Sequence, residues 1–250
     1  MFVRRVGLAA VAVVVTVVAG GCGARIASHP LVTSKPHRAN VVEAPVEPFG
    51  TTLTATLQNN VPGSPSPGAP ANLEVPSTWY GYPTIVPVID RVQGWDEVRL
   101  AQRPNGSVTW IPSADAVTGL TPYRIVVNLQ TMRLTVFEDG RQILDFPAGI
   151  GTPDDPTVTG HFFMTMQVPA PNAGYGPFVL VTSAHSDSIT DWANSGDAII
   201  AIHGPITSYD DSRIGTTGAA ISHGCIRLHD ADLAQLSTIP AGTPVDIVAS

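Results

Sequence analysis

Hydrophobic and polar positions divide the chain into stretches of different character. Residues 6–20 form an apolar run rich in Val, Ala and Leu behind a basic start at Arg4 and Arg5. The run falls short of the roughly 20 residues a membrane-crossing helix needs, so it predicts an export signal. From residue 23 to 77 no period is sustained. Residues 62–70 read Pro-Gly-Ser-Pro-Ser-Pro-Gly-Ala-Pro, a composition that removes backbone donors and predicts an extended, disordered linker. Residues 51–57 are a possible short ordered piece within it.

Between residues 78 and 118 the pattern changes to short apolar or alternating runs at 85–89, 95–100 and 108–112, with a tight turn at 104–107. These predict a small SH3-like β module, packed on the next domain because so short a stretch builds little core of its own. From residue 121 to 250 the strand signals are stronger. Residues 123–129 are β-branched, 133–138 alternate, and Asp139-Gly140 forms a hairpin turn into 141–150. Further strands are expected at 161–166, 177–184, 198–203 and 243–249. One short helix is expected at 230–236, with acid at its start. The fold class is therefore mainly β with short helices: a mixed-sheet or sandwich domain behind the module and the linker, and not an alternating βαβ chain.

Composition narrows the function. Of 250 residues only 13 are Lys or Arg and 20 are Asp or Glu, giving a formal net charge of −7. No basic cluster appears, which excludes nucleic acid as a partner class. The two cysteines are Cys22 and Cys225. Cys22 follows Val18-Ala19-Gly20-Gly21, which is similar to the lipobox of bacterial lipoproteins, where the cysteine is lipidated and becomes the mature N-terminus. Ala19 stands where a larger aliphatic residue is usual. The chain is then expected outside the cytoplasm, held to the outer face of the cytoplasmic membrane by an N-terminal lipid.

That leaves Cys225 without a partner in the chain. It sits among Gly and polar residues in Ser222-His223-Gly224-Cys225-Ile226-Arg227, which fits a reactive thiol better than a buried small hydrophobe. A thiol of ordinary pKa is only a few per cent ionised at neutral pH, so it needs a base or a cationic partner. His203, at the end of the 198–203 strand, is the candidate base. The Gly204 backbone carbonyl is the group available to orient its ring. Gly224 permits close backbone approach, and the N–H groups of Gly224 and Cys225 are candidates for holding an oxyanion. Ser222 could bond within the turn or to substrate. Arg227 could grip a substrate carboxylate or pair with Asp230 or Asp232. Tyr175, Trp192 and Tyr209 lie in loops that could wall a groove. His161, His185 and His229 read as solvated or structural.

The phrases Ile202-His203-Gly204, Ile214-Gly215 and Ser222-His223-Gly224-Cys225-Ile226-Arg227-Leu228 resemble the active-site signature of the L,D-transpeptidase (YkuD-type) family. Residues 149–153, 157–162 and 241–245 resemble its other strand and turn phrases, so the likeness covers roughly residues 121–250. Three departures stand out. Pro205 replaces a threonine common in the family, Val158 replaces a proline, and the eighteen residues between His203 and Ser222 are slightly more than usual. None removes a reacting group. The resemblance implies a cysteine acyltransferase of peptidoglycan, inhibited by carbapenems and acting as a monomer without cofactor or metal. Cys225 would attack the third residue of a stem peptide and release D-alanine, and an amine of a neighbouring stem would resolve the thioester into a 3→3 cross-link. His223 would shape the pocket, with Ser222, Arg227 and Tyr209 on the substrate side.

Two alternatives of the same site remain open at the level of sequence: hydrolysis of the acyl-enzyme, which makes an L,D-carboxypeptidase, and a non-catalytic wall-binding lipoprotein. A zinc site of His203, His223 and Cys225 is disfavoured, because two ligands from one tight turn would be strained and no paired cysteines support it.

Overall fold

The computed structural model describes residues 50–250. The apolar run, Cys22 and the first part of the linker lie outside the described residues.

The first sheet is antiparallel and five-stranded. Its members are β1 (Thr52–Leu57), β2 (Ile85–Val92), β3 (Trp95–Arg99), β4 (Val108–Pro112) and β5 (Ala116–Thr121), in the order β4-β3-β2-β1-β5. The expected strands of the module are present, but its boundary is corrected. The module starts at β1, which lies inside the stretch read as linker and pairs with both β2 and β5. The reason is visible in β1 itself: Ala55 and Leu57 alternate into the core, as half-buried strand residues do. The proline-rich segment is also folded in, through a short ladder of Val61–Gly63 with Leu73–Val75. Pro62 is exposed there between buried Val61 and Gly63, an edge position where a missing donor costs little.

The second sheet has eight strands. In chain order these are β6 (Tyr123–Asn128), β7 (Arg133–Glu138), β8 (Arg141–Pro147), β9 (Ile150–Gly151, outside this sheet), β10 (Gly160–Pro169), β11 (Phe178–His185) and β12 (Ile199–His203). After helix α1 (Ser208–Arg213) come β13 (Ala220–Ser222), β14 (Ile226–Arg227), helix α2 (Asp230–Ala234) and β15 (Pro244–Val248). The order is β8-β7-β6-β15-β10-β11-β12-β14, while β9 and β13 form a separate parallel pair. Parallel pairing of β6 with β15, and of β12 with β14, makes the sheet mixed.

Helix α1 lies within the eighteen residues between His203 and Ser222. Its start was encoded in Thr207-Ser208-Tyr209-Asp210: Thr207 Oγ1 accepts from Asp210 N at 3.1 Å and meets the Asp210 carboxylate at 2.8 Å, a capping arrangement.

Each sheet has its own core. Ile125, Val127, Leu134, Ile202, Ile226 and Val245 lie in the larger one, and Ala55, Leu57, Val86, Val98 and Ile111 in the smaller. Strand β10 serves both. Successive side chains on a strand point to opposite faces, so Phe162 enters the large core while Phe163, 1 % exposed, enters the small one. Burial of one such ring stabilises by about 2–3 kcal/mol, so the module is seated on the strand that also floors the groove described next.

Candidate active site

The alternation of β12 determines the site. Ile200 and Ile202 are buried in the core, and the strand ends on His203, 3 % exposed. Past it the chain runs tightly against residues 174–175. Gly204 N donates to Tyr175 O at 2.8 Å and Ile206 N to Gly174 O at 2.7 Å. A Cβ on residue 204 would meet Gly176 N at 2.7 Å and Tyr175 C at 2.8 Å, so only glycine fits. This approach aims the Gly204 carbonyl back at the preceding ring: His203 Nδ1 lies 2.7 Å from Gly204 O. A carbonyl can only accept, so Nδ1 carries the proton and Nε2 has its lone pair free. The Tyr175 ring, 4.7 Å from the imidazole and inclined at 45°, holds the other side. Burial lowers the His203 pKa to about 4; the Gly204 hydrogen bond opposes the shift and the Arg227 charge adds to it. At neutral pH the ring is a neutral base.

Strand β14 lies parallel to β12 with Ile202 opposite Ile226, and Cys225, the residue before β14, is hydrogen-bonded to the Ala201 backbone. Cys225 is half-buried and free of any disulfide. Burial raises its thiol above the ordinary value, against the smaller lowering effects of the Ala201 backbone hydrogen bond and Arg227. Buried thiol and buried imidazole are therefore both neutral at rest.

The turn before Cys225 is cross-linked from within and from behind. Ser222 Oγ accepts from Gly224 N at 3.1 Å and donates to Cys225 O at 2.5 Å. Gly224 has φ of 114°, a left-handed value that suits glycine, and a Cβ there would meet Ile200 Cδ1 at 2.7 Å. Thr157 Oγ1 donates to Gly224 O at 2.7 Å while accepting from Gly151 N at 2.8 Å. The 149–152 segment adds Gly149 N to Arg227 O at 2.8 Å and Thr152 N to Ser222 O at 2.9 Å.

Four sequence expectations change here. The Gly224 N–H is taken by Ser222, so it is not a ready oxyanion donor. For the same reason, of the two roles open to Ser222, it is the bonding within the turn that the structure shows, and the substrate role falls away. Arg227 is paired neither with Asp230 nor with Asp232: its Nη1 meets Asp210 Oδ2 at 2.9 Å and donates to Pro205 O at 3.3 Å, so α1 already occupies it. Tyr209 is 64 % exposed, accepts from Arg213 Nη1 at 2.8 Å and is absent from the groove lining. A helix whose acidic side faces Arg227 turns Tyr209 away from the thiol.

His203, Cys225, Ser222, His223 and Arg227 do line one groove, with Tyr175 and Trp192, around a cavity of about 630 Å³. His223 stands at its mouth, its side chain 61 % exposed, 4.0 Å from Asp155 Oδ2 and with its ring 5.2 Å from Trp192. The other described histidines pair with carboxylates of the frame: His161 Nδ1 is 2.7 Å from Asp246 Oδ1, His185 Nδ1 2.7 Å from Asp197 Oδ2, and His229 Nδ1 2.6 Å from Asp211 Oδ1. Among the described residues no group of three His, Cys, Asp or Glu side chains is arranged to hold a metal. Sequence reasoning missed Thr157 and Asp210. For Asp210 the Thr-x-x-Asp cap was the available signal; for Thr157 the sequence carries none.

A free thiol and a carbonyl-oriented imidazole thus line one groove at neighbouring strand ends of a mixed sheet. The family profile for the L,D-transpeptidase catalytic domain, YkuD, matches residues 122–247, and the chain belongs to that family. The YkuD proteins of Bacillus licheniformis and Bacillus subtilis are 29 % and 28 % identical to it over 127 residues, half of this chain and 66 % of each relative. The chain thus covers just under two thirds of those relatives. Among solved structures, an L,D-transpeptidase from Mycobacterium smegmatis covers 66 % of this chain and 90 % of its own, at 17 % identity and a TM-score of 0.41. One from Stackebrandtia nassauensis covers 52 % and 57 %, at 19 % and 0.37.

Proposed function

We propose that the protein is a peptidoglycan L,D-transpeptidase that forms 3→3 cross-links through a thioester on Cys225. The observation that carries this is the His203 Nδ1 contact with Gly204 O, which leaves Nε2 as a free base in the groove that holds Cys225. In the first half-reaction Nε2 takes the thiol proton as Sγ attacks the carbonyl of the third stem residue. The bond to the terminal D-alanine breaks, its nitrogen takes the proton back from the imidazolium, and the acyl group stays on sulfur. In the second, an amine of a neighbouring stem attacks the thioester, His203 accepts its proton, and the C–S bond breaks to return the thiol. A neutral resting pair suits this cycle, because charge develops only when substrate has displaced water from the groove. The short fixed turn, with Thr157 and Ser222 holding Gly224, keeps the sulfur from wandering between the halves.

The same reading has the chain exported, anchored by lipid on Cys22 and working as a monomer at the cell wall. Mass spectrometry of the mature N-terminus tests the anchor. The reaction is tested with two defined stem peptides, a tetrapeptide donor and an amine-bearing acceptor, by product mass. A cross-linked dimer with free D-alanine is expected. Tripeptide alone would assign hydrolysis, and no conversion would leave a wall-binding protein.

A further inference from the structure

The module is more than a seat. Residues 78–83 form a hairpin, with Thr78 opposite Pro83 and Trp79 opposite Tyr82, and its two-residue turn is Tyr80-Gly81. Both turn residues have positive φ, 49° and 83°. That is the tight hairpin geometry normally filled by Asn, Asp or Gly, and a tyrosine in its first position is strained. Tyr80 is also 65 % exposed, its ring set edge-on to Trp79 at 5.8 Å. A strained backbone that presents a large aromatic ring to solvent gains nothing in packing.

What it faces explains it. Tyr80 and Tyr82 line the same groove as Cys225. The floor between them can be traced strand by strand: Cys225, just before β14, is hydrogen-bonded to the Ala201 backbone of β12, Ala201 lies opposite Val181, and Val181 opposite Met166. Three inter-strand steps of about 4.8 Å carry this row about 14 Å from the thiol to β10. The hairpin stem stands at that end, since Trp79 and Pro83 share a small cavity with Phe163 and Thr165 of β10.

We propose that the Tyr80–Tyr82 hairpin is a saccharide platform that binds the amino sugar at the head of the donor stem. The idea rests on the transpeptidase reading above. With the third stem residue's carbonyl at Cys225, three extended residues and the lactyl link to the sugar, at roughly 3.4 Å each, span about 14 Å. The length of the floor therefore matches the length of the stem. The floor is Ala201, Val181 and Met166, apolar and uncharged, and it ends on tyrosines, whose flat faces suit the C–H face of a pyranose and whose hydroxyls suit its substituents.

The test compares donors that differ only in the sugar: a stem tetrapeptide and the same tetrapeptide on its disaccharide. Acyl-enzyme formation on Cys225 gives kcat/KM for each, and calorimetry gives binding of each. The full-length protein is expected to prefer the disaccharide donor by about tenfold, mostly in KM, with the preference falling to within about twofold in Tyr80→Gly and Tyr82→Ala. Because the readout is a ratio, a general loss of activity cancels. Tyr80→Gly also guards against misfolding, since glycine relieves the positive φ and the melting temperature should hold or rise. Equal kcat/KM for the two donors in the wild type, or a preference that survives both substitutions, would overturn the platform. So would variants that change only the KM for the acceptor amine, which would assign the hairpin to the second stem. If neither donor acylates Cys225, yet disaccharide-dependent binding is present and lost in Tyr80→Gly, the platform stands and the transpeptidase reading falls.

Discussion

Two histidines line the groove of Cys225 and live in opposite surroundings. His223 is two residues from the thiol in sequence and lies at the exposed mouth, near Asp155 and Trp192. His203 is twenty-two residues away and buried at a strand end, its Nδ1 fixed by the next residue's carbonyl and its face covered by Tyr175. The exposed ring keeps its hydration and its freedom to rotate. The buried one has lost both: loss of hydration lowers its pKa to about 4, and the fixed ring leaves one lone pair with a defined direction. Sheet register, which pairs β12 with β14, brings the end of the His203 strand beside the strand that follows Cys225.

The sharpest way to break this comparison is to remove each ring in turn. His203→Ala is expected to slow turnover by about 10³-fold, in the range of a lost general base. His223→Ala is expected to cost only a few-fold, about 2–5, and mainly in KM, because an exposed ring is replaced by solvent. Steady-state kinetics on one donor measures both, and equal losses would erase the distinction. Between these extremes falls Thr157→Val. It is nearly isosteric but strips Gly224 O and Gly151 N of their shared partner, so about a tenfold loss of acylation rate and a destabilisation of about 1–3 kcal/mol by denaturant melts are expected.

A separate effect is on acid stability. The folded pKa of His203 lies below its ordinary value of 6.5, so the unfolded chain binds a proton more readily than the folded one between about pH 6.5 and 4. Stability contributed by the neutral buried ring is full above pH 6.5 and lost as pH falls through that window. Melting temperatures of wild type and His203→Gln should converge on acidification, and parallel curves would show that the buried ring does not titrate as described.

Much of the fold was legible because the strands of the larger sheet carry plain signals: alternation in 133–138, the Asp139-Gly140 turn, and β-branched runs at 123–129 and 198–203. The candidate pair was legible for a different reason, a solitary thiol and a strand-end histidine being chemically conspicuous. What stayed hidden depends on contacts between distant segments. The turn at 222–225 spends the Gly224 donor on Ser222, which residue type alone does not reveal. Arg227 found Asp210 because a six-residue helix folds back over it, so the nearby Asp230 and Asp232 were the wrong guess. The module began earlier than expected because β1 is the strand between β2 and β5, a role defined by partners on either side that lie about thirty and sixty residues further along. Proline-rich composition masked it, since the prolines occupy exposed positions and short ladders beside the sheet.

The account stands most directly on the mass of the protein after it meets a stem tetrapeptide donor in the absence of acceptor. Intact-protein mass spectrometry with peptide mapping should find the donor less D-alanine added once, on the peptide that contains Cys225. An unchanged mass, or the same adduct on any other residue, would contradict it.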